Sequence, residues 1–214
     1  MNHLRGLLLE GLSDLKISLD DNQIERLLDY LRLLEKWNKS YNLTAINGLE
    51  KMLSYHLLDS LAIYPSLQQC KNALDVGSGA GLPGVPLAIA MPDSNWTLLD
   101  SNGKKTRFIQ QALAVCKVSN AKVVQSRVQD YTDSSSFDVI VSRAYASLGA
   151  FIDSVAHLRQ SNTLLVTMKT GLDPEELKAL DTIKHEIQAS FINEIELCVP
   201  GIAEKRSLVI VKPS

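Results

Sequence analysis

Cysteine is scarce in this chain of 214 residues. There are three, Cys70, Cys116 and Cys198, widely spaced and odd in number. That excludes a disulfide framework and a cysteine metal cluster, and it makes a reducing cytoplasm the expected home. The four histidines, His3, His56, His157 and His185, are just as scattered, and no metal is expected. No apolar run approaches the roughly 20 residues of a membrane span. The run Leu7-Leu8-Leu9 is too short, and too close to Glu10 and Asp14, for a secretion signal. Charge of either sign is lacking in excess: 22 Lys and Arg against 24 Asp and Glu give a formal net charge of −2. Any nucleic-acid site must therefore be a local patch. Internal repeats and low-complexity segments are missing too. What remains is 45% hydrophobic and 21% charged, the composition of a globular protein with one sizeable domain, or a domain and a small cap.

The informative stretch is Asn72 to Ala90, NALDVGSGAGLPGVPLAIA. It reads as a buried strand (Ala73, Leu74, Val76), a glycine turn and a helix. Gly77, Gly79 and Gly81 recur at every second position, which neither a strand nor a helix tolerates well. The backbone must turn tightly there and leave room for a ligand, beyond the carboxyl end of the strand where open α/β sheets bind one. Gly79 to Gly84 matches G-x-G-x-x-G, so a dinucleotide has to be weighed. Two features oppose it. A pyrophosphate needs free N–H groups at the helix start, and Pro83 and Pro86 remove two donors there. Asp75 would also repel a phosphate, but could attract a cation. A ligand with an adenosine, an amino group and a sulfonium suits the pocket better, namely S-adenosylmethionine. Asp75-Val76-Gly77-Ser78-Gly79-Ala80-Gly81 resembles the first motif of the Rossmann-like methyltransferases.

Residues 1 to about 64 read as helical. Ser18-Leu19-Asp20-Asp21 is expected to box the start of a helix whose apolar face is Ile24, Leu27, Leu28, Leu31 and Leu34. That helix should fade at Trp37 to Asn42. Another should run from Leu49 to Ile63 and stop at Pro65. After Asn72 strands and helices alternate. Strands are expected at Asn95–Asp100, Ala121–Gln125, Phe137–Ser142 and Thr163–Met168, and helices at Gly103–Lys117, Leu148–Leu158 and from Asp173 to Leu180. Glu186–Val199 and Ser207–Lys212 should close the chain as an antiparallel hairpin. The expected fold is α/β: a Rossmann-like class I methyltransferase sheet, mainly parallel, ending in that hairpin. Residues 1–66 form a helical cap and 67–214 the methyltransferase domain, the two making one compact unit.

Asp100 ends the second strand, where an acid can accept from ribose hydroxyls of either cofactor. Val128 and Gln129 follow the third strand, placed to pack on an adenine and bond its edge. Arg143 follows the fourth strand; its fork could hold a cofactor carboxylate or a substrate phosphate, and Asp75 or Asp100 could pair with it structurally instead. It is the best candidate for positioning substrate, and no residue stands out as a catalytic acid or base. Lys104, Lys105 and Arg107 open a helix where cations oppose its dipole, which hints at an anionic partner. Arg127 and Lys169, with Lys36 and Lys39, could complete a basic rim for RNA. Trp37, Tyr41 and Tyr145 are as suited to core packing as to stacking on a base. His56 and Asp59, one helical turn apart, read as ties between cap and sheet.

Taken together these residues resemble the bacterial 16S ribosomal RNA guanine-N7 methyltransferases, once named glucose-inhibited division protein B. The markers are Trp37-Asn38-Lys39 with Tyr41-Asn42-Leu43-Thr44, His56-Leu57-Leu58-Asp59-Ser60, and Asp75 through Gly84. Leu98-Leu99-Asp100-Ser101, Ser126-Arg127-Val128 and Ser142-Arg143-Ala144 complete the set. The resemblance spans nearly the whole chain. It implies S-adenosylmethionine contacts at Gly77, Leu82, Val128, Gln129 and Arg143; the glycine run and the strand end add Gly79 and Asp100 to the expected cofactor site. It implies a guanine near the decoding centre as substrate, in 16S ribosomal RNA or the small-subunit particle. Nothing in the sequence demands a dimer, so a monomer is expected, in the cytoplasm that the cysteines point to. Two departures stand out: Gln129 replaces a frequent acid, and Thr170 replaces a glycine common after the lysine matching Lys169. The rivals are a small-molecule methyltransferase, an NAD-dependent oxidoreductase and a non-catalytic RNA-binding protein.

Overall fold

A computed structural model of the chain describes residues 2–133, 135–143, 145, 147–170 and 191–212. The helix expected from Asp173 to Leu180, the start of the strand expected at Glu186, and His185 lie outside these described residues.

The cap begins with α1 (Asn2–Asp14) and α2 (Asp21–Tyr41). The box at the start of α2 forms on Asp20 and Gln23, not on Ser18 and Asp21. The Asp20 carboxylate accepts the Gln23 N–H at 2.7 Å, and the Gln23 side-chain oxygen accepts the Asp20 N–H at 2.9 Å. Gln23 decides the register because its amide nitrogen has a second task, donating to the carbonyls of Ile89 and Ala90. The helix ends within the expected stretch, at Tyr41, with Asn42 in the left-handed conformation. The next helical run is broken into α3 (Leu49–Met52), a π-helical segment (Leu53–Leu58) and α4 (Asp59–Leu61). Pro65 sits in the first turn of α5 (Tyr64–Leu67), where its missing N–H has no helical partner to lose.

Seven strands follow: β1 (Asn72–Val76), β2 (Asn95–Asp100), β3 (Ala121–Gln125), β4 (Val139–Arg143), β5 (Leu164–Lys169), β6 (Phe191–Leu197) and β7 (Arg206–Lys212). They form one sheet in the order β3-β2-β1-β4-β5-β7-β6. The first five pair in parallel; β7 is antiparallel to both β5 and β6. The closing hairpin is thus as expected, with its second strand inserted between β5 and β6. Helices α6 (Gly84–Ala90), α7 (Gly103–Val115) and α8 (Leu148–Ser154) link the strands.

Both faces of the sheet are buried, and period-two alternation sorts side chains between them. Ala73, Leu98, Val139, Val141 and Leu208 join one core with the cap, α6 and α7. Leu74, Leu99, Ile140 and Val209 join a second core with Phe151 and Ile152 of α8. The order reverses between β1 and β4, so a crevice opens beyond their carboxyl ends.

Charge also ties the cap to the sheet. Asp59, 5% exposed, accepts from Arg143 Nη1 at 3.3 Å and Arg206 Nε at 3.2 Å, joining α4 to the ends of β4 and β7. Arg143 Nη1 also reaches the Tyr55 carbonyl at 3.2 Å, and Tyr55 donates to Glu204 in the hairpin. Burial raises the Asp59 carboxyl, with the two guanidinium groups pulling the other way. Removing one partner of a buried pair is worse than lacking the pair, because the remaining charge stays desolvated. Asp59→Ala should therefore lose about 3 kcal/mol of stability in urea denaturation. A loss near zero would mean the two arginines do not depend on it.

Candidate active site

The glycine turn is pinned from three directions. From the sheet, the N–H groups of Gly77 and Ser78 both reach the Leu99 carbonyl, at 2.8 and 3.0 Å. From β2, the Asp100 carboxylate accepts the Gly79 N–H at 2.8 Å with one oxygen and the Asn102 N–H at 2.8 Å with the other. From the cap, the buried Tyr30 hydroxyl donates to the Ala80 carbonyl at 2.7 Å. Sequence reasoning placed Tyr30 nowhere near this turn. The available signal was a phenol on the buried face of α2 among Leu27, Leu31 and Leu34, since a buried hydroxyl needs a partner.

Asp75 departs from expectation. It is fully buried, so it is no open counter-charge for a cation. Its Oδ2 accepts the N–H of Gly84, the first residue of α6, at 3.0 Å. Burial pushes its carboxyl up to about 7. Gly84 is required by this close approach: an added Cβ would lie 2.1 Å from Leu98 Cδ2 and 2.7 Å from Asp75 Oδ2. The rest of the first turn is also occupied, because Val85 N–H bonds the Gly81 carbonyl at 2.7 Å and Pro86 has none. The helix start therefore offers no free donor to a phosphate, as the two prolines suggested.

The crevice beyond the strands is a cleft of about 500 Å³. It gathers six of the expected residues: Gly77, Asp100, Lys105, Arg127, Val128 and Gln129. Val76, Leu99, Ser101, Ser126 and Tyr145 complete its lining. Gly77 has a φ of +71°, and a Cβ built on it meets nothing within 4 Å. Val128, in a short 3-10 turn, packs on the core of Val76 and Leu99. Tyr145 lies against Phe151 at 5.5 Å.

Other expected residues do not line this cleft. Gly79 uses its N–H on Asp100, and Leu82 is buried at 3% exposure. Arg143 pairs with neither Asp75 nor Asp100; the bent helical run brings Asp59 and the Tyr55 carbonyl within its reach instead. Arg107 folds back on the Gly103 carbonyl at 3.0 Å, Lys104 is exposed on α7, and Lys169 donates to the Tyr145 carbonyl at 3.4 Å. His56 is buried between Thr44 Oγ1 and the Tyr55 carbonyl. Burial, then the Arg143 charge, brings it down to about 4. Among the described residues no group of three or more His, Cys, Asp or Glu could hold a metal ion, and no helix is long and apolar enough to cross a membrane.

The strand order, the antiparallel seventh strand and the cleft beside β1 define the class I Rossmann-like methyltransferase fold. Solved structures agree on the fold. A human methyltransferase 10 domain containing protein superposes with a TM-score of 0.60 at 16% identity, covering 91% of this chain and 98% of its own. A putative O-methyltransferase from Klebsiella pneumoniae gives 0.56 at 14% identity and 92% coverage of each chain. The family model described as rRNA small subunit methyltransferase G matches residues 23–209. Proteins named ribosomal RNA small subunit methyltransferase G are 47% identical in Ectopseudomonas mendocina (97% of this chain, 95% of the relative) and 46% identical in Nitrosococcus oceani (97% and 94%). The chain belongs to the rRNA small subunit methyltransferase G family.

Asp75 and His56 tilt stability in opposite directions with pH. Folded protein holds the Asp75 proton up to about 7, while an unfolded Asp releases it near 3.8, so stability falls as pH rises through that window. An unfolded His takes up a proton near 6.5 and folded His56 only near 4, so stability falls as pH drops through that window. Asp75→Asn removes the first slope. Its urea midpoint should rise more steeply than that of the wild type between about pH 4 and 6.5. Equal slopes would show that Asp75 does not carry that proton.

Proposed function

We propose that this protein transfers a methyl group from S-adenosylmethionine to N7 of a guanine in 16S ribosomal RNA, near the decoding centre. The observation that carries the cofactor is the glycine shelf: space over Gly77 that a side chain would fill, beside a helix start with no free donors for a diphosphate. Family membership carries the ribosomal substrate. A dinucleotide cofactor is disfavoured by the same helix start.

When bound, S-adenosylmethionine supplies an electrophilic methyl carbon on a sulfonium. Gly77 and Gly79 would form the floor of its site, with Leu82 beneath them. Asp100, its carboxylate already oriented by two N–H groups, has lone pairs left for ribose hydroxyls. Val128 would flank the adenine and Gln129 bond its edge. Gln129 offers an amide donor and an acceptor where an acid would only accept. Among the described residues both hydrogen bonds of Arg143 use Nη1, and Nε and Nη2 of the fork would serve the cofactor carboxylate or the guanine edge.

Guanine N7 has an in-plane lone pair and no proton to lose. The reaction needs alignment, not a general base. Proximity and orientation supply up to about 7–11 kcal/mol in ideal cases. The cleft has this character: Asp100 in its lining is engaged by two N–H groups, and the buried His56 and Asp75 hold structure and are not part of the lining. Lys104, Lys105, Arg107, Arg127 and Lys169 would steer the RNA backbone, which positions without reading sequence. Cap and sheet would work as one monomeric cytoplasmic enzyme.

Gly77→Asp should abolish S-adenosylmethionine binding in isothermal titration, with about 1 kcal/mol of stability lost to the positive φ. Retained affinity would remove the glycine cradle. Incubation with labelled S-adenosylmethionine and small-subunit particles lacking the modification should place the label on one guanine of 16S RNA. Label on a small metabolite, or on another nucleotide, would overturn the substrate.

A further inference from the structure

The second half of α2 rises past the glycine turn. Near its start Gln23 bonds the carbonyls of Ile89 and Ala90, at the far end of α6, and further along Tyr30 bonds Ala80 in the glycine turn. The helix therefore climbs toward the carboxyl ends of the strands. From Leu31 to Tyr41, at about 1.5 Å per residue, it rises roughly 16 Å beyond that turn. Helix α7 descends from the same edge, its first residue Gly103 following closely on Asp100.

The two helices meet at Trp37 and Phe108, edge to face with centroids 5.5 Å apart. Tyr41 lies one turn above Trp37 on the same face of α2, and Lys104 one turn above Phe108 on the same face of α7. Tyr41 and Lys104 thus make the next layer up. Tyr41 is 48% exposed. Its ring rests on Trp37 at 4.8 Å, inclined by 31°. Lys105, beside Lys104, lines the cleft, so this ledge continues the cleft wall.

The ledge is held in place. Asn42 closes α2 with its N–H on the Asn38 carbonyl. The buried Asn38 side chain accepts the Thr44 N–H at 2.9 Å and donates to Asn47 at 3.0 Å. Residues 33–41 and 103–107 carry Lys36, Lys39, Lys104, Lys105 and Arg107 against Glu35 alone, in a chain whose net charge is −2. A backed aromatic face among cations matches an unstacked base with phosphates on either side. An acidic peptide would match the charge but make no use of the ring face.

We propose that Tyr41, backed by Trp37, is a stacking platform for an unpaired RNA base neighbouring the substrate guanine, with Lys104 and its neighbours taking the adjoining phosphates. This rests on the ribosomal RNA reading above and adds to it a contact outside the methyl-transfer cleft.

The test compares wild type, Tyr41→Ala and Tyr41→Phe on unmodified small-subunit particles with labelled S-adenosylmethionine. The alanine variant should raise KM for the particle roughly tenfold, leave kcat and S-adenosylmethionine affinity unchanged, and be rescued by phenylalanine. A short single-stranded RNA should also quench tryptophan emission in the wild type, because Trp37 lies at the ledge while Trp96 is 1% exposed. An unchanged KM in Tyr41→Ala overturns the platform, as does emission that RNA leaves untouched or that only an acidic peptide quenches. A wild-type enzyme that transfers nothing to the particle sinks the ribosomal RNA reading instead, and the RNA quench then decides the platform alone.

Discussion

One hydrogen bond fixes most of what matters here: the N–H of Gly84 on the buried carboxylate of Asp75. It sets where α6 begins and how tightly that helix lies on β1 and β2. The approach is so close that residue 84 can carry no side chain. It also takes one of the two N–H groups between Pro83 and Pro86, the other, on Val85, being held by the Gly81 carbonyl. The turn that precedes α6 is then free to be a shelf, with its backbone bonded to Leu99, Asp100 and Tyr30 and its open side toward the cleft. A nucleotide-binding turn of the phosphate type uses the same glycines in the opposite way, with helix N–H groups directed at the ligand.

The cap belongs to this arrangement. Tyr30 bonds the shelf, Gln23 bonds the end of α6, and Asp59 holds Arg143 beside the end of β4. Each contact crosses a long stretch of sequence, and each uses a polar group that is costly to bury without a partner. The π-helical segment at Leu53–Leu58 shifts the register of its run, and Tyr55 and Asp59 meet Arg143 and Arg206 there. Such insertions recur at functional sites because they re-aim side chains without ending a helix.

Charge is used locally. The whole chain is slightly acidic, yet cations collect on the first turn of α7 and at the cleft mouth through Lys105 and Arg127. Nucleic-acid affinity needs only such a patch, since a counterion atmosphere screens what lies beyond about 10 Å. His56 and Asp75, buried near the site, are held in roles of support. That agrees with a methyl transfer to a nitrogen lone pair, where geometry supplies the rate and no proton has to move.

The parallel sheet, its closing hairpin, the glycine turn and six of the residues lining the cleft were legible in the amino-acid order. All of these rest on local signals: period-two runs, glycines where no side chain fits, and residues placed just past strand ends. Short range explains the small errors too, since Asp20 outcompeted Ser18 as a cap once Gln23 had partners in α6. Which polar groups are buried was settled by packing between distant segments. Asp75 reads as an exposed acid beside a ligand until α6 covers it. Arg143 reads as facing the pocket until Asp59 takes part of its fork, and Tyr30 reads as one more position on an apolar stripe. Burial depends on what packs above a residue, and that neighbour lies tens of residues away in the chain.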